Sequence, residues 1–377
     1  MSMATETQVH VGLEGIVAAA TRLSSVDGQA GELIIAGFPL ERLAPFATFE
    51  ETIFLLWNDH LPSQSELAEL RQSLASQRQL PALTLEVAQQ LGREQADPMD
   101  ALRAATATLN PLADEKATAQ RIVAALPTIV AAYWRARNQA EFIEPRSDLS
   151  HAANYLWMLT GKEPSAEKVR ALETYLNTVV DHGLNASTFT TRVIISTESD
   201  LVSAITGAIG ALKGPLHGGA PGPALDMVFE IGTADRAEEV LRAKLARGER
   251  LMGFGHRVYK VRDPRAEVLA GAADQLFAND GNRELYELVR HVEQTAIRLL
   301  EEHKPGRKLQ TNVEFYTALL LHGIDFETDL FTPTFTISRA VGWIAHAFEQ
   351  RAVGRIIRPQ SIYTGERNRT WVEVAER

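Results

Sequence analysis

"TFEETIFLLWNDHLPSQSELAELRQSL", residues 48–74, reads as two helices set end to end. Thr48 with Glu51, and Ser63 with Glu66, stand at capping-box spacing. In that motif the hydroxyl accepts a backbone N–H of the first turn while the carboxylate reaches back to the cap's own N–H. Pro62, which has no N–H to offer, separates the pair. The same helical period recurs outward from here, near 84–92, 98–109, 115–137, 147–160, 165–181, 198–212, 222–231, 235–247, 263–279, 283–303, 311–322 and 333–352, with Gly, Pro or Asn between most stretches. Before it, "GLEGIVAAATRLSSVDGQAGELIIAGF" (12–38) sets short β-prone runs around Asp27-Gly28 and Gly31, which predicts one small hairpin. Strand runs long enough for a central sheet are missing, so the predicted fold class is all-α.

The chain has 377 residues, 45% of them hydrophobic, enough for a large core divided between domains. Its 38 basic and 48 acidic residues give a formal charge of −10, which argues against a general nucleic-acid surface. The absence of cysteine excludes disulfides, thiolate zinc sites and cysteine nucleophiles. No apolar run reaches the ~20 residues of a membrane span, and the opening residues lack a signal-peptide pattern. A cytoplasmic protein without a membrane partner is expected.

Four stretches mix ionisable groups with tight backbone. "KGPLHGGAPGPA" (213–224) places His217 among four glycines and three prolines, which predicts a shaped turn. "DHGLNASTFTTR" (181–192) holds His182 and Asn185 at a helix end, and "MGFGHRVYKVRDPR" (252–265) holds His256 with Arg257, Lys260, Arg262 and Arg265. "LQTNVEFYTALL" (309–320) puts Glu314 at the start of an apolar helix. Each admits a bland reading: a turn histidine bonded to backbone, a solvated basic face, a carboxylate complementing a helix dipole. Rival motifs are absent, namely HExxH, G-x-G-x-x-G, GxxxxGK[ST] and G-x-S-x-G, and His346 with Glu349 makes only an isolated His-x-x-Glu pair. No metal site is expected.

Taken together and in order, "GPLHGG", "GFGHRVYKVRDPR", "TNVEFY" and "SRAVGWIAHAFEQ…IIRPQSIYTG" resemble the citrate synthase family, including its 2-methylcitrate synthase branch, over nearly the whole chain. The resemblance implies a helical fold of two domains. Residues 1–216 with 326–377 would form the large domain, and 217–325 a small inserted domain that closes over the cleft. It implies that His217 holds the enol of an acyl-CoA, that His256 polarises the oxaloacetate carbonyl, and that the residue at 314 is the general base. His182, Arg265, Arg339 and Arg358 would bind oxaloacetate, Arg358 reaching in from the other subunit of a homodimer. Lys260, Arg257 and Arg262 would lie near CoA phosphates. The family base is usually aspartate; here it is Glu314, whose extra methylene shifts the oxygens by roughly 1 Å. The reaction implied is condensation of acetyl-CoA with oxaloacetate and hydrolysis to citrate and CoA, without a metal or a permanently bound cofactor. Propionyl-CoA as the acyl donor, or a weakly active oxaloacetate- or CoA-binding paralogue, are the alternatives.

Overall fold

The computed structural model describes residues 9–218, 222–256, 258, 259, 261–280 and 282–377. Helices dominate from Leu40 to Val353, and their starts follow local chemistry. Thr48 and Ser63 both form the reciprocal capping box, opening Phe49–Asn58 and Gln64–Ser76. Asp97 and Asp263 cap helices with proline in the first turn, Pro98–Thr106 and Pro264–Asn279. The Glu115–Arg137 helix runs through Pro127 with an unbroken buried stretch from Ile122 to Tyr133. Gly92 lets its neighbour, Ala82–Arg93, come close: a Cβ there would stand 2.4 Å from the Tyr133 carbonyl oxygen.

Two elements depart from the expectation. The hairpin at Asp27 forms, with Ser24–Asp27 antiparallel to Glu32–Ile35, but Phe38–Pro39 adds a third strand to the sheet. A helix also runs from Ala186 to Ile195, capped by Asn185, where the sequence showed only a helix end. Its run of Ser, Thr, Val and Ile has weak intrinsic helix propensity, so packing decides it. The partners are the Leu201–Leu212 helix and the long Phe331–Val353 helix.

Phe331–Val353 is the axis of the site. It is buried over most of its length and packs against Ala166–Val179 as well as Ala186–Ile195. At Gly342 the approach is so close that a Cβ would meet the Val180 carbonyl oxygen at 2.3 Å. On the opposite wall, Val313–Gly323 packs against Pro264–Asn279. Among the described residues no helix is long and apolar enough to cross a membrane.

Candidate active site

A cavity of about 550 Å³ opens where these helix ends meet, lined among others by His182, His217, His256, Arg265, Glu314 and Arg339. They are delivered by five pieces of backbone, His256 and Arg265 sharing one. His217 sits in a turn closed by its own N–H and that of Gly218 on the Gly214 carbonyl, at 2.9 and 3.0 Å. Gly218 is required there, since a Cβ would fall 2.0 Å from the Leu212 carbonyl oxygen. His256 follows Gly253 and Gly255, both at positive φ (86° and 83°), where an L side chain is strained. Their backbone is stitched to the segment before Glu314: Asn312 N–H donates to Gly253 O at 2.9 Å, and Gly255 N–H to Gln310 O at 2.7 Å. Asn312 caps the Val313–Gly323 helix through the Glu314 N–H, so Glu314 enters the cavity from the first turn. The hairpin turn presses on the His256 loop as well, because a Cβ on Gly28 would meet the Val258 carbonyl oxygen at 2.3 Å.

Hydrogen bonds fix the histidine tautomers. His217 Nε2 receives the Ser187 backbone N–H at 3.3 Å and lies 2.7 Å from Ser187 Oγ. An acceptor Nε2 puts the proton of the neutral ring on Nδ1. Burial, with the Arg339 charge behind it, lowers the His217 pKa to about 4, so the ring is neutral near pH 7. His256 Nδ1 accepts the N–H groups of Val258 and Tyr259, each at 3.1 Å, which leaves the proton of the neutral ring on Nε2. That nitrogen stands 3.3 Å from Arg265 Nη2, donor facing donor. His182 Nε2 is 3.1 Å from the Tyr259 hydroxyl, and burial, then the charges of Arg265 and Arg339, hold its pKa well below the ordinary value.

Two buried guanidinium groups supply positive charge. Arg265 is forked onto fully buried Asp263, Nε to Oδ1 at 3.1 Å and Nη2 to Oδ2 at 2.8 Å. Burial works against the Arg265 charge, but Asp263 outweighs it and the pKa is raised. Arg339, 2% exposed, donates Nε–H to the Val179 carbonyl at 2.8 Å and lies 4.6 Å from the Phe335 ring centroid. Among the described residues no carboxylate stands at ion-pair distance from it, and burial lowers its pKa to about 10. Fully buried Asp181 offsets part of that cost from beyond ion-pair distance, and an anion entering the cavity would offset more. Glu314 is the cavity's carboxylate. Burial raises its pKa, Arg265 pulling part of the way back, and among the described residues no donor bonds its oxygens.

Other residues singled out in the sequence go elsewhere. Arg262 does not line the cavity; it pairs with Glu267 at 2.8 Å and with buried Glu293 at 2.9 Å. Arg358 lies in the exposed segment after Gly354, also outside the lining. Arg257 and Lys260 fall outside the described residues. His346 and Glu349 belong to a buried network: His346 Nε2 contacts Asp181 at 3.2 Å, His346 Nδ1 accepts from Arg192 Nε at 3.1 Å, and Arg192 also pairs with Glu349. Among the described residues no group of three or more His, Asp or Glu is arranged to hold a metal ion. Ser187, Tyr259 and Asp263 are site residues that the sequence reading did not single out. Of these only Asp263 had a local signal, as an Asp-Pro helix cap.

The model of the citrate synthase C-terminal domain matches residues 12–360. The chain belongs to the citrate synthase family. It is 42% identical to citrate synthase 2 of Bacillus subtilis over 375 residues, covering 97% of this chain and 98% of that one. It is 39% identical to the 2-methylcitrate synthase of Mycobacterium tuberculosis over 371 residues, 96% and 92% of the two chains. A ternary complex of carboxymethyl coenzyme A and oxaloacetate with the citrate synthase of Thermoplasma acidophilum superposes with a TM-score of 0.86 at 30% identity, over 98% of this chain and all of that one. The helical fold with its small sheet is that of the citrate synthase family.

Proposed function

We propose that this chain condenses acetyl-CoA with oxaloacetate and hydrolyses the product thioester to citrate and CoA. The observation that carries the reading is the convergence of His217, His256 and Glu314 on one cavity walled by Arg265 and Arg339. Oxaloacetate is a dianion, and two buried guanidinium groups match its two carboxylates. Its carbonyl oxygen would accept from His256 Nε2–H, relieving the donor pair at Arg265. Ionised Glu314 would take a proton from the acyl methyl group, while His217 Nδ1–H stabilises the charge developing on the thioester oxygen. The resulting carbon nucleophile attacks the polarised carbonyl, a carbon–carbon bond forms, and the carbonyl oxygen gains a proton. Water then cleaves the thioester and CoA leaves.

The reading includes a homodimer in which Arg358 completes the partner's site, and closure of residues 217–325 over the large domain to exclude water. The lack of cysteine fits a reducing cytoplasm. Arg257 and Lys260 are the candidates for CoA phosphates; Arg262 is a weaker one, committed as it is to Glu293 and Glu267.

The test is thiol release from acetyl-CoA, dependent on oxaloacetate. Its absence overturns the reading. The similarity to a 2-methylcitrate synthase favours propionyl-CoA as a second donor, and one methylene is worth only ~1–3 kcal/mol of selectivity. Comparing kcat/KM for the two thioesters decides between them.

A further inference from the structure

One buried carboxylate outside the cavity lining touches two of the three segments that carry the reacting groups. Glu293 lies near the middle of the Arg283–His303 helix and is 2% exposed. Its Oε1 accepts from Thr311 Oγ1 at 2.6 Å and pairs with Arg262 Nη1 at 2.9 Å, while Oε2 accepts from the Tyr316 hydroxyl. Thr311 and Tyr316 flank Glu314. Arg262 belongs to the loop that carries His256 and Arg265, and its guanidinium lies 5.9 Å from the Tyr316 ring centroid. Backbone bonds already join the two segments, Asn312 N–H to Gly253 O, Gly255 N–H to Gln310 O, and Asp263 N–H to Thr311 O at 3.3 Å. Glu293 adds the side-chain tie between them, joining Arg262 to Thr311 and Tyr316.

We propose that Glu293 is a positioning residue, fixing the loop of His256 against the helix start of Glu314. The proposal rests on the roles given to those two residues above. Both Glu293 oxygens are committed, to three partners from two segments, so the carboxylate has no free rotamer and acts as a rigid spacer. If stability were its only service, an apolar residue of similar volume would serve as well or better.

Glu293→Gln keeps the shape and removes the charge that holds Arg262. Expected is a fall in kcat of about ten- to a hundredfold, the scale of a displacement near 1 Å, larger than any loss of calorimetric oxaloacetate affinity. The rate of deuterium uptake into the acyl methyl group should fall in parallel. A variant that melts earlier but keeps parental kcat overturns the proposal. Tyr316→Phe and Thr311→Val each remove one bond without stranding a charge and should lower kcat in the same direction. If Glu293→Gln does not fold, parental kcat in both of these overturns it. A parent protein that releases no thiol overturns the functional reading itself, and this proposal with it, so the two failures are separable.

Discussion

Glu314 carries one methylene more than the aspartate usual at the base position of the family, yet its carboxylate reaches the cavity from the first turn of its helix. The longer arm is matched by local backbone, because the Asn312 cap fixes where the helix begins. Shortening it should therefore hurt: Glu314→Asp is expected to lower kcat by about 10²-fold, and Glu314→Gln by ~10²–10⁴-fold, with oxaloacetate binding retained in both. Steady-state kinetics beside calorimetry checks this, and a Glu314→Asp enzyme as fast as the parent would refute the matching. As the proposed base Glu314 must be ionised, so its raised pKa should make kcat/KM fall as pH drops through a value above the ordinary glutamate range. His217, at about 4, adds no loss at milder acidity. Stability has its own acid limb. Burial drives His151 from 6.5 to about 3, and its Nε2 has no hydrogen-bond partner among the described residues. Between those values the unfolded chain takes up a proton that the folded chain refuses, so stability is lost as pH falls through that window. His151→Phe keeps a ring beside Phe49 and removes the titration. Its melting temperature relative to the parent should rise steadily from pH 7 to about pH 4; a constant difference would show that His151 is not the cause.

Turns, more than helices, set the chemistry in place. Gly253 holds φ at 86° with the Phe315 ring 2.7 Å from where a Cβ would stand. Gly253→Ala should destabilise the fold by about 1–2 kcal/mol through the left-handed backbone alone, with the ring clash added. It should lower kcat further by moving His256, as thermal melts and turnover of the folded fraction would show; parental values for both would refute the strain. The helices around these turns were legible because capping boxes, Asp-Pro starts and apolar periodicity are local. Phe38–Pro39 was not, since a two-residue strand leaves no alternation to read. Ala186–Ile195 was not, since its β-branched residues are helical only because neighbours demand it. The site divides the same way. Glycine-flanked His217 and His256 announced themselves, and the family resemblance supplied roles. Ser187, Tyr259 and Glu293 act across 30, 77 and 18 positions of chain, and a contact of that span leaves no sequence pattern.

At the scale of the whole molecule, the C-terminal segment stands off the core. After Gly354 the segment is exposed, with Trp371 75% and Tyr363 62% accessible, and among the described residues only short ties hold its start, Gln350 to the Arg355 carbonyl and the Ile357 N–H to Ser196. Arg358 follows directly. A tail that exposes Ile356, Ile362, Tyr363 and Trp371 among its charges, and whose Arg358 does not line the site of its own chain, suits a symmetric dimer in which each tail lies on the partner. The arrangement makes a sharp demand. In a mixed dimer of Arg358→Ala and His217→Ala chains, one site has lost both groups, whereas the other keeps its own His217 and receives an intact Arg358 from across the interface. Two inactive proteins, co-refolded in equal amounts, should therefore recover about a quarter of parental activity, half the dimers being mixed and half their sites whole. Should Arg358 serve the chain that carries it, every site in the mixture lacks one group or the other, and thiol release would stay at the level of the separate variants.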